Sequence, residues 1–289
     1  MKLNTEPRSA GDRELWTSAP TKTHTVGGVD FVYRELGPRG GVPVVFLTHL
    51  AAVLDNWDPR IVDGIAASRH VITFDNRGVG ASSGTTPTTI EAMAADAVVF
   101  IRALGFDLVD LFGFSMGGMI AQVIAETDPE LVRRMVIAGT GPAGGVGITN
   151  VTRITYLDIM RGLVTRQDPK VFLFFTRTPN GRARAKDFIG RLAERTSDRD
   201  TDVSVATLRN QLKAIHRWGK RTPQDLGKIR IPTLVANGEC DRMVPTSNSV
   251  DLHRRLPNSE LVIYPDAGHG GIFQFHEQFV ATTLEFLAR

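Results

Sequence analysis

The chain has 289 residues, 42% hydrophobic and 22% charged, and its 34 basic and 31 acidic residues give a net charge of +3. These values are ordinary for a globular protein of one large domain or two modest ones. The basic residues are spread along the chain, which argues against a nucleic-acid partner. Cys240 is the only cysteine, which excludes an internal disulfide and a cysteine-built metal site and indicates a reducing compartment.

The first residues, MKLNTEPRSAGDRELW, mix charges throughout and lack the apolar stretch of a secretory signal. No apolar run reaches the roughly 18 residues that indicate a transmembrane helix. We therefore expect a cytoplasmic protein with no membrane partner. Residues 1–20 are polar and aperiodic, which predicts a loose N-terminal arm that Trp16 could pin in part to the body.

Runs rich in β-branched residues follow this arm, and further along apolar strand-like runs alternate with helical patterns. The predicted strands are Thr21–Val26, Val29–Arg34, Pro43–Leu47, His70–Phe74, Val109–Phe112, Met135–Ala138, Thr233–Ala236 and Leu261–Tyr264. The helices predicted between and after them are Thr89–Leu104, Met116–Thr127, Ser247–Leu256 and His276–Leu287. This alternation predicts an α/β fold with a mostly parallel, doubly wound sheet that is covered on both faces.

Residues 141–227 differ in character from both flanks. Arginine and phenylalanine become frequent there, and strand signals give way to helical patterns such as Val151–Leu163 and Ala206–Trp218. This change predicts a helical insertion into an α/β core made of residues 21–140 and 228–289. We expect the insertion to form a mobile cap over the functional site. Its aromatic residues would supply apolar surface to a pocket or to the contact with the core; they are Phe172, Phe174, Phe175 and Trp218.

Residues 113–117, GFSMG, match the G-x-S-x-G pattern of a nucleophilic serine. An apolar strand, VDLF, leads into the pattern and a helix, MIAQVIAE, follows it, which is the setting that this chemistry requires. Gly113 and Gly117 are needed because the turn is too tight for side chains, and the strained backbone exposes the Ser115 hydroxyl. A helix N-cap is the structural alternative for Ser115, but the context and the partners below favour a nucleophile.

A serine hydroxyl needs a base to take its proton, and in this fold the histidine comes last in the chain. Three histidines lie in the last strand–helix units: His253, His269 and His276. His253 is inside a predicted helix and His276 opens the final one. His269 lies in the loop DAGHGG directly after the strand LVIY, where it can reach over the carboxyl edge of the sheet. His269 is therefore the predicted general base rather than an ordinary surface residue.

Three carboxylates could orient this histidine: Asp241, Glu239 and Asp266. Asp266 is so near His269 in sequence that a contact would bend their loop back on itself. Glu239 lies almost at the end of the strand TLVA, so its side chain is expected to stay at the sheet edge. Asp241 lies further along, where a loop can curve toward the histidine, and it is the predicted acid. The neighbouring Cys240 is predicted to be a small buried residue rather than a reactive thiol.

The backbone N–H groups at the start of the helix after Ser115 face a developing oxyanion, and Met116 N–H is the predicted first donor. The second donor should come from the loop THLAA after the third strand, where either Leu50 or Ala51 supplies it. His49 in the same loop is predicted to be structural, as an anchor of that loop.

Residues 75–82, DNRGVGAS, form another glycine-rich motif after a strand. A nucleotide-binding loop is not completed, because the motif lacks the G-x-G-x-x-G spacing and a following Lys-Ser/Thr pair. A structural turn tied by Asp75 and Arg77 is the favoured interpretation. No H-E-x-x-H motif or His/Cys cluster indicates a metal site. We therefore expect neither a cofactor nor a metal.

Taken together, the chain resembles the α/β-hydrolase superfamily from about residue 21 onward, with the motifs DNRGVGAS, GFSMGG, GECDRMVP and DAGHGG in order. The stretch LTHLAAVLDNWDP looks most like the corresponding loop of 3-oxoadipate enol-lactonases. GFSMGG is similar to the nucleophile turn of cofactor-free haloperoxidases, which are esterases and perhydrolases. A serine there argues against the haloalkane-dehalogenase and epoxide-hydrolase branches. The resemblance assigns the triad and the oxyanion donors to Ser115, Asp241 and His269, and to Met116 with Leu50 or Ala51.

The predicted function is hydrolysis of a small carboxylic ester or lactone, a small-molecule substrate, through an acyl-Ser115 intermediate. Two alternatives remain: a carbon–carbon bond hydrolase of a ring-cleavage product, and a non-catalytic ligand sensor on the same fold. In the first alternative, basic residues of the insertion would bind a substrate carboxylate. The competing interpretation is that these residues form a solvated helix face. They are Arg161, Arg177, Arg182 and Arg184. The sequence is compatible with a homodimer.

Overall fold

A single sheet of eight strands forms the centre of the computed structural model, which describes residues 14–289. The strands are β1 (Lys22–Val26), β2 (Val29–Leu36), β3 (Val44–Leu47), β4 (Val71–Phe74), β5 (Val109–Phe114), β6 (Val132–Ala138), β7 (Thr233–Gly238) and β8 (Ser259–Tyr264). Their order across the sheet is β1-β2-β4-β3-β5-β6-β7-β8. The β1–β2 and β2–β4 pairs are antiparallel and the others are parallel. The predicted fold class is confirmed.

Helices connect most of these strands. They are α1 (Pro59–Ala66), α2 (Ile90–Ala103), α3 (Met116–Thr127), α4 (Val151–Thr165), α5 (Lys170–Phe174), α6 (Pro179–Leu192), α7 (Val205–Lys220), α8 (Ser247–Arg255), α9 (Gly271–Gln274) and α10 (His276–Ala288). Helix α1 packs on α10, and α2 packs on α3. Among the helices of residues 14–289, none is both long enough and apolar enough to cross a membrane.

The central strands are apolar on both faces because helices cover both sides of the sheet. Every residue of β3, VVFL, and of β4, VITF, is buried, as expected for parallel strands inside an α/β fold. The edge strand β1 instead alternates between half-buried and exposed residues, because one side of it faces solvent. The core is therefore centred on β3, β4 and β5.

The sheet topology brings several functional candidates to one edge. Strands β3, β5, β6, β7 and β8 are parallel neighbours, so their carboxyl ends lie side by side. The loops that follow four of these strands carry His49, Ser115, Asp241 and His269. Ligand sites of open parallel sheets form at this edge, and the fold places these four residues there.

The chain between β6 and β7 contains α4, α5, α6 and α7, which form the helical segment expected between residues 141 and 227. Several polar contacts fix this segment to the core. Trp218 Nε1 donates to the carbonyl of Gly141 at 3.1 Å. Arg191 of α6 pairs with Asp58, which caps α1, at 2.7 Å. The mobility of the segment stays a prediction.

The predicted loose arm, residues 1–20, lies partly outside the described residues, which begin at residue 14. From there to residue 20 the chain is held against the body instead of being loose. The Trp16 side chain is only 1% exposed, and its backbone N–H donates to Asp63 at 2.7 Å. Arg195 of the helical segment donates to the Trp16 carbonyl at 3.0 Å. Trp16 thus joins the start of the described chain to both the core and the insertion.

The glycine-rich turn after β4 contains a fully buried carboxylate, Asp75. A Cβ on Gly80 would lie 2.2 Å from Asp75 Oδ2 and 2.9 Å from both carboxylate oxygens of Asp200, so the two acids crowd the same point. Burial, and then the neighbouring Asp200, raise the pKa of Asp75 well above its ordinary value. Arg77 pairs with Asp96 of α2 at 2.9 Å and does not compensate this charge. Arg77 thus binds α2 and does not tie the turn, contrary to the prediction, and the turn buries an acid whose pKa is raised.

Asp75→Asn is expected to raise the free energy of unfolding near neutral pH, because the amide has no charge whose burial must be avoided. The folded state with its raised pKa holds a proton that the unfolded state releases above about pH 4. The stability from this group is therefore full at acid pH and is lost as pH rises through the folded pKa. An uncharged amide avoids that loss, so the gain should shrink toward acid pH.

Urea unfolding at neutral pH and at about pH 5 measures the effect. Asp107→Asn is the control, because the Asp107 side chain is almost fully exposed. A loss of stability for Asp75→Asn that is equal at both pH values would contradict the prediction.

Candidate active site

Ser115 lies at the sharp turn from β5 into α3, with φ 55° and ψ −114°, a strained conformation for any residue other than glycine. Two glycines allow the turn. A Cβ on Gly117 would lie 1.9 Å from the Leu47 carbonyl oxygen, and one on Gly113 would lie 2.4 Å from the Gly117 carbonyl oxygen. The Ser115 side chain makes no capping hydrogen bond to α3. Its hydroxyl therefore does not serve as an N-cap.

His269 lies between β8 and α9 and is only 2% exposed. Its Nε2 is 2.9 Å from Ser115 Oγ, and its Nδ1 is 2.7 Å from Asp241 Oδ2. An ionised carboxylate only accepts hydrogen bonds, so Nδ1 carries the proton and Nε2 is free to accept from the serine. The loop is fixed by the Gly270 N–H, which donates to the Phe174 carbonyl of α5 at 2.8 Å.

Asp241 is held by its own loop. Its Oδ1 accepts from the backbone N–H groups of Met243 at 2.8 Å and Val244 at 3.0 Å. These two bonds occupy Oδ1 and fix the plane of the carboxylate. Oδ2 is thereby directed at His269, and the structure brings the three predicted triad residues into one hydrogen-bonded chain.

The two competing carboxylates are engaged elsewhere. Glu239 is exposed, and its Oε2 accepts from the Asp266 N–H at 3.3 Å. The Asp266 carboxylate accepts from Thr178 and Asn180, both at 3.0 Å, and so joins the loop to α6. Cys240 is exposed, so the prediction of a buried thiol was wrong. The cause is that Cys240 lies in the turn beyond β7, outside the sheet.

The candidates for the second oxyanion donor, Leu50 and Ala51, both line the cavity at Ser115. The Ala51 N–H already donates to Gln211 Oε1 of α7 at 2.8 Å. The Leu50 N–H forms no hydrogen bond to any residue of the described chain. Met116 is the first residue of α3, where helix N–H groups have no partner within the helix. The geometry therefore favours Met116 and Leu50 over Ala51.

Gln211 was not identified from the sequence, although it is fully buried and bonds the oxyanion loop. Ala51 has φ 54°, an unfavourable conformation for alanine. The bond from the Ala51 N–H to Gln211 helps to hold that conformation. A glutamine within a helical pattern carries no sequence signal for such a role, because its partner is distant in the chain.

His49 anchors the same loop by packing. Its ring contacts Phe114 and Phe174 edge-on, with centroids 5.3 and 5.2 Å away. Nδ1 donates to the Leu50 carbonyl at 2.9 Å. Burial lowers the pKa of His49 to about 3, so the ring is neutral at physiological pH. A neutral, buried ring of this kind is a support for the loop rather than a second base.

A cavity of about 180 Å³ opens at Ser115 and His269. Its walls are mainly apolar and include Leu50, Ile159, Leu173, Phe174, Leu208 and Met243. Two charged residues also line it, Asp168 and Lys170, with Lys170 Nζ 3.2 Å from Asp168 Oδ2. This pair was not predicted from the sequence. Within residues 14–289, no group of three or more His, Cys, Asp or Glu side chains is arranged to hold a metal ion.

The aromatic and basic residues singled out in the insertion are distributed over several places. Phe174 lines the Ser115 cavity, whereas Trp218 is buried where α7 meets the core. None of the four arginines lines this cavity. A separate groove is lined by Phe172, Phe175, Arg161, Arg177 and Arg182. Arg184 instead pairs with Asp187 on the exposed side of α6.

The sequence matches the family model described as alpha/beta hydrolase fold over residues 42–275, which is most of the chain. The chain therefore belongs to the α/β-hydrolase family and is a hydrolase of that fold. This confirms the resemblance that the four motifs indicated.

Individual relatives agree with this placement. A solved structure described as an alpha/beta hydrolase fold protein from Chitinophaga pinensis is 40% identical, with a TM-score of 0.90, and the match covers 95% of this chain and 99% of that one. A relative from Synechocystis sp., named "Putative non-heme chloroperoxidase", is 27% identical over 274 residues, 90% of this chain and 95% of the relative. The enol-lactonase structure from Burkholderia xenovorans LB400 shares the fold, with a TM-score of 0.70, 19% identity and coverage of 93% and 100%.

Gln211→Leu is expected to speed amide hydrogen exchange of the loop around Ala51 by roughly fivefold, because a typical net hydrogen bond contributes about 1 kcal/mol. Exchange followed by mass spectrometry on peptides that span this loop measures the effect. Gln211→Glu keeps an acceptor at the same place and should restore slow exchange.

Asn210→Leu is the matched control, since the neighbouring Asn210 binds the Thr86 carbonyl at 3.0 Å and does not contact the loop. Equal acceleration in Asn210→Leu and Gln211→Leu would show general loosening of α7 and would refute a specific role for Gln211.

Proposed function

We propose that the protein is a serine hydrolase that cleaves a small carboxylic ester or lactone through an acyl-Ser115 intermediate. The observation that carries this proposal is the chain of hydrogen bonds from Asp241 Oδ2 to His269 Nδ1 at 2.7 Å and from His269 Nε2 to Ser115 Oγ at 2.9 Å. All three side chains are buried, so water competes little for these bonds. This is the geometry that activates a serine hydroxyl.

The reaction follows from the roles of these atoms. Ser115 Oγ attacks the ester carbonyl carbon while His269 Nε2 takes the hydroxyl proton. The tetrahedral intermediate collapses, and the departing alkoxide receives that proton from Nε2. A water molecule then attacks the acyl-enzyme, again with His269 as base, and releases the acid and free Ser115. Asp241 holds the Nδ1 proton and stabilises the imidazolium in both halves.

The negative charge on the carbonyl oxygen would be stabilised by the backbone N–H groups of Met116 and Leu50. Neither donates to another group of the described chain, so both are free for a developing oxyanion. Preorganised donors of this kind supply a large part of the rate enhancement in acyl transfer.

The cavity supports a small substrate at the reacting centre. Its volume of about 180 Å³ and its apolar walls have room for a short acyl chain or a small ring next to Ser115. Drug-sized ligands occupy pockets of roughly 300–1,000 Å³, so a longer substrate must extend out of this cavity.

Ser115→Ala should reduce ester turnover by roughly 10³-fold or more with the fold intact, because the nucleophile is lost. A fluorophosphonate should label the wild-type protein at Ser115 and leave Ser115→Ala unlabelled, as read by peptide mass spectrometry. Labelling at another serine would remove Ser115 from the proposed mechanism.

Asp241→Asn should lower kcat by about 10⁴-fold near neutral pH, because the amide no longer fixes the productive tautomer of His269. Glu239→Gln is the matched control, since Glu239 precedes Asp241 in the same turn and does not contact the histidine. If Glu239→Gln abolished activity and Asp241→Asn kept it, the acid would be Glu239 while the serine–histidine pair would stand.

A substrate panel separates the proposal from its alternatives. Short p-nitrophenyl esters and lactones should be turned over many times per enzyme molecule. Turnover confined to carbon–carbon cleavage of ring-fission products would replace the ester reaction with that chemistry. Tight ligand binding without turnover would indicate a sensor.

A further inference from the structure

A second concave surface lies on the helical segment beside the Ser115 cavity. It is a groove of about 620 Å³ between α4, α5 and α6. Five cationic side chains line it: Arg161, Arg166, Arg177, Arg182 and Lys186. No ion pair is recorded for any of these five with an acid of the described chain. A concentration of unpaired positive charge in a cleft creates a strong local potential for anions.

Apolar residues also line the groove: Val171, Phe172, Phe175 and Ile189. The Arg161 guanidinium lies 4.5 Å from the centroid of the Phe172 ring. This cation–π contact places the charge beside an aromatic face of the groove. The groove therefore suits a ligand that joins an apolar part to an anionic group.

The groove lies next to the Ser115 cavity, because Asp168 lines both of them. Asp168 is the one acid among the residues that line the groove, and it is already paired. Its Oδ2 is 3.2 Å from Lys170 Nζ, and its Oδ1 accepts from the Lys170 backbone N–H at 2.8 Å. The positive charge of the groove is thus not cancelled by its own acid.

We infer that this groove binds the distal part of the substrate, an anionic group such as a carboxylate or phosphate carried on an apolar chain or ring, while the ester lies at Ser115. The inference rests on the proposed function. The cavity at Ser115 is too small for a long substrate, whereas the groove, which shares the lining residue Asp168 with that cavity, has a volume in the range of small-molecule sites. A hydrolase with this groove selects esters of dicarboxylic or similarly anionic acids over neutral esters.

The matched ligands for the test are monomethyl suberate and dimethyl suberate, which share one chain and differ by one carboxylate. Binding is measured by calorimetry on Ser115→Ala, so that turnover does not interfere. The monoanion should bind about tenfold more tightly than the diester, and its advantage should fall as salt is added. A homologous series of monomethyl esters should show the advantage only above the chain length that reaches from Ser115 to the groove.

The matched variants lie on one helix. Arg182 lines the groove, whereas Arg184 lies two positions further along α6 and pairs with Asp187. Adding Arg161→Gln and Arg182→Gln to Ser115→Ala should reduce the preference for the monoanion about tenfold, and adding Arg184→Gln should leave the preference unchanged. Circular dichroism checks the fold. Should the double variant unfold, Arg177→Gln tests the same charge at an exposed position, with a smaller expected loss.

Equal affinity for the two esters, or an equal loss of preference in Arg184→Gln, overturns the inference. Binding to phosphatidylglycerol vesicles that requires Arg182, without any preference among the small esters, also overturns it in favour of a lipid surface. The outcomes separate this inference from the proposed function. If the wild type turns over both esters with equal efficiency, the inference about the groove is rejected and the proposed hydrolase function stands. If the monoanion is preferred but neither turnover nor phosphonate labelling occurs, the proposed hydrolase function is rejected and anion binding in the groove stands.

Discussion

The contact between the Gly117 backbone and the Leu47 carbonyl is the constraint on which the rest of the site depends. With no side chain at Gly117, α3 begins directly against the end of β3, and the chain turns through Ser115 at φ 55°. That turn raises the hydroxyl above the carboxyl edge of the sheet and leaves the Met116 N–H beside it. The same contact brings the β3 loop, with Leu50 and Ala51, alongside the serine. One backbone contact thus positions both the proposed nucleophile and the proposed oxyanion donors.

Two buried aspartates, Asp241 and Asp75, differ in the groups that surround their carboxylates. Asp241 accepts two backbone N–H bonds on one oxygen and the histidine N–H on the other, so both of its oxygens are hydrogen-bonded. Asp75 is also buried, but it lies beside Asp200, and its pKa is raised. In the proposed mechanism, the carboxylate of Asp241 stabilises the imidazolium that forms at His269. At Asp75, burial and the neighbouring Asp200 disfavour the ionised form.

The sequence predicted the structural features that depend on neighbouring residues or on the order of the strands and helices along the chain. The tight turn demands Gly113 and Gly117, and the α/β pattern places a loop histidine after the last strand, so the fold and the candidates Ser115 and His269 could be predicted. Gln211 and Lys170 could not, because their contacts depend on how the helical segment folds back over the sheet. Trp16 was expected to pin part of the arm to the body, and it does, but its partners Asp63 and Arg195 could not be predicted because they are far away in the sequence.

The helical segment is part of the framework of the candidate site and not only a cover over it. Gln211 of α7 holds the Ala51 N–H, and the Phe174 carbonyl of α5 holds the Gly270 N–H next to His269. Both bonds cross from the segment to the sheet domain, so lifting the segment would break both together. The oxyanion loop and the histidine loop would then lose a support at the same moment. If the proposed function holds, the packing of the segment on the sheet domain would couple enclosure of the substrate to the alignment of Ser115 and His269.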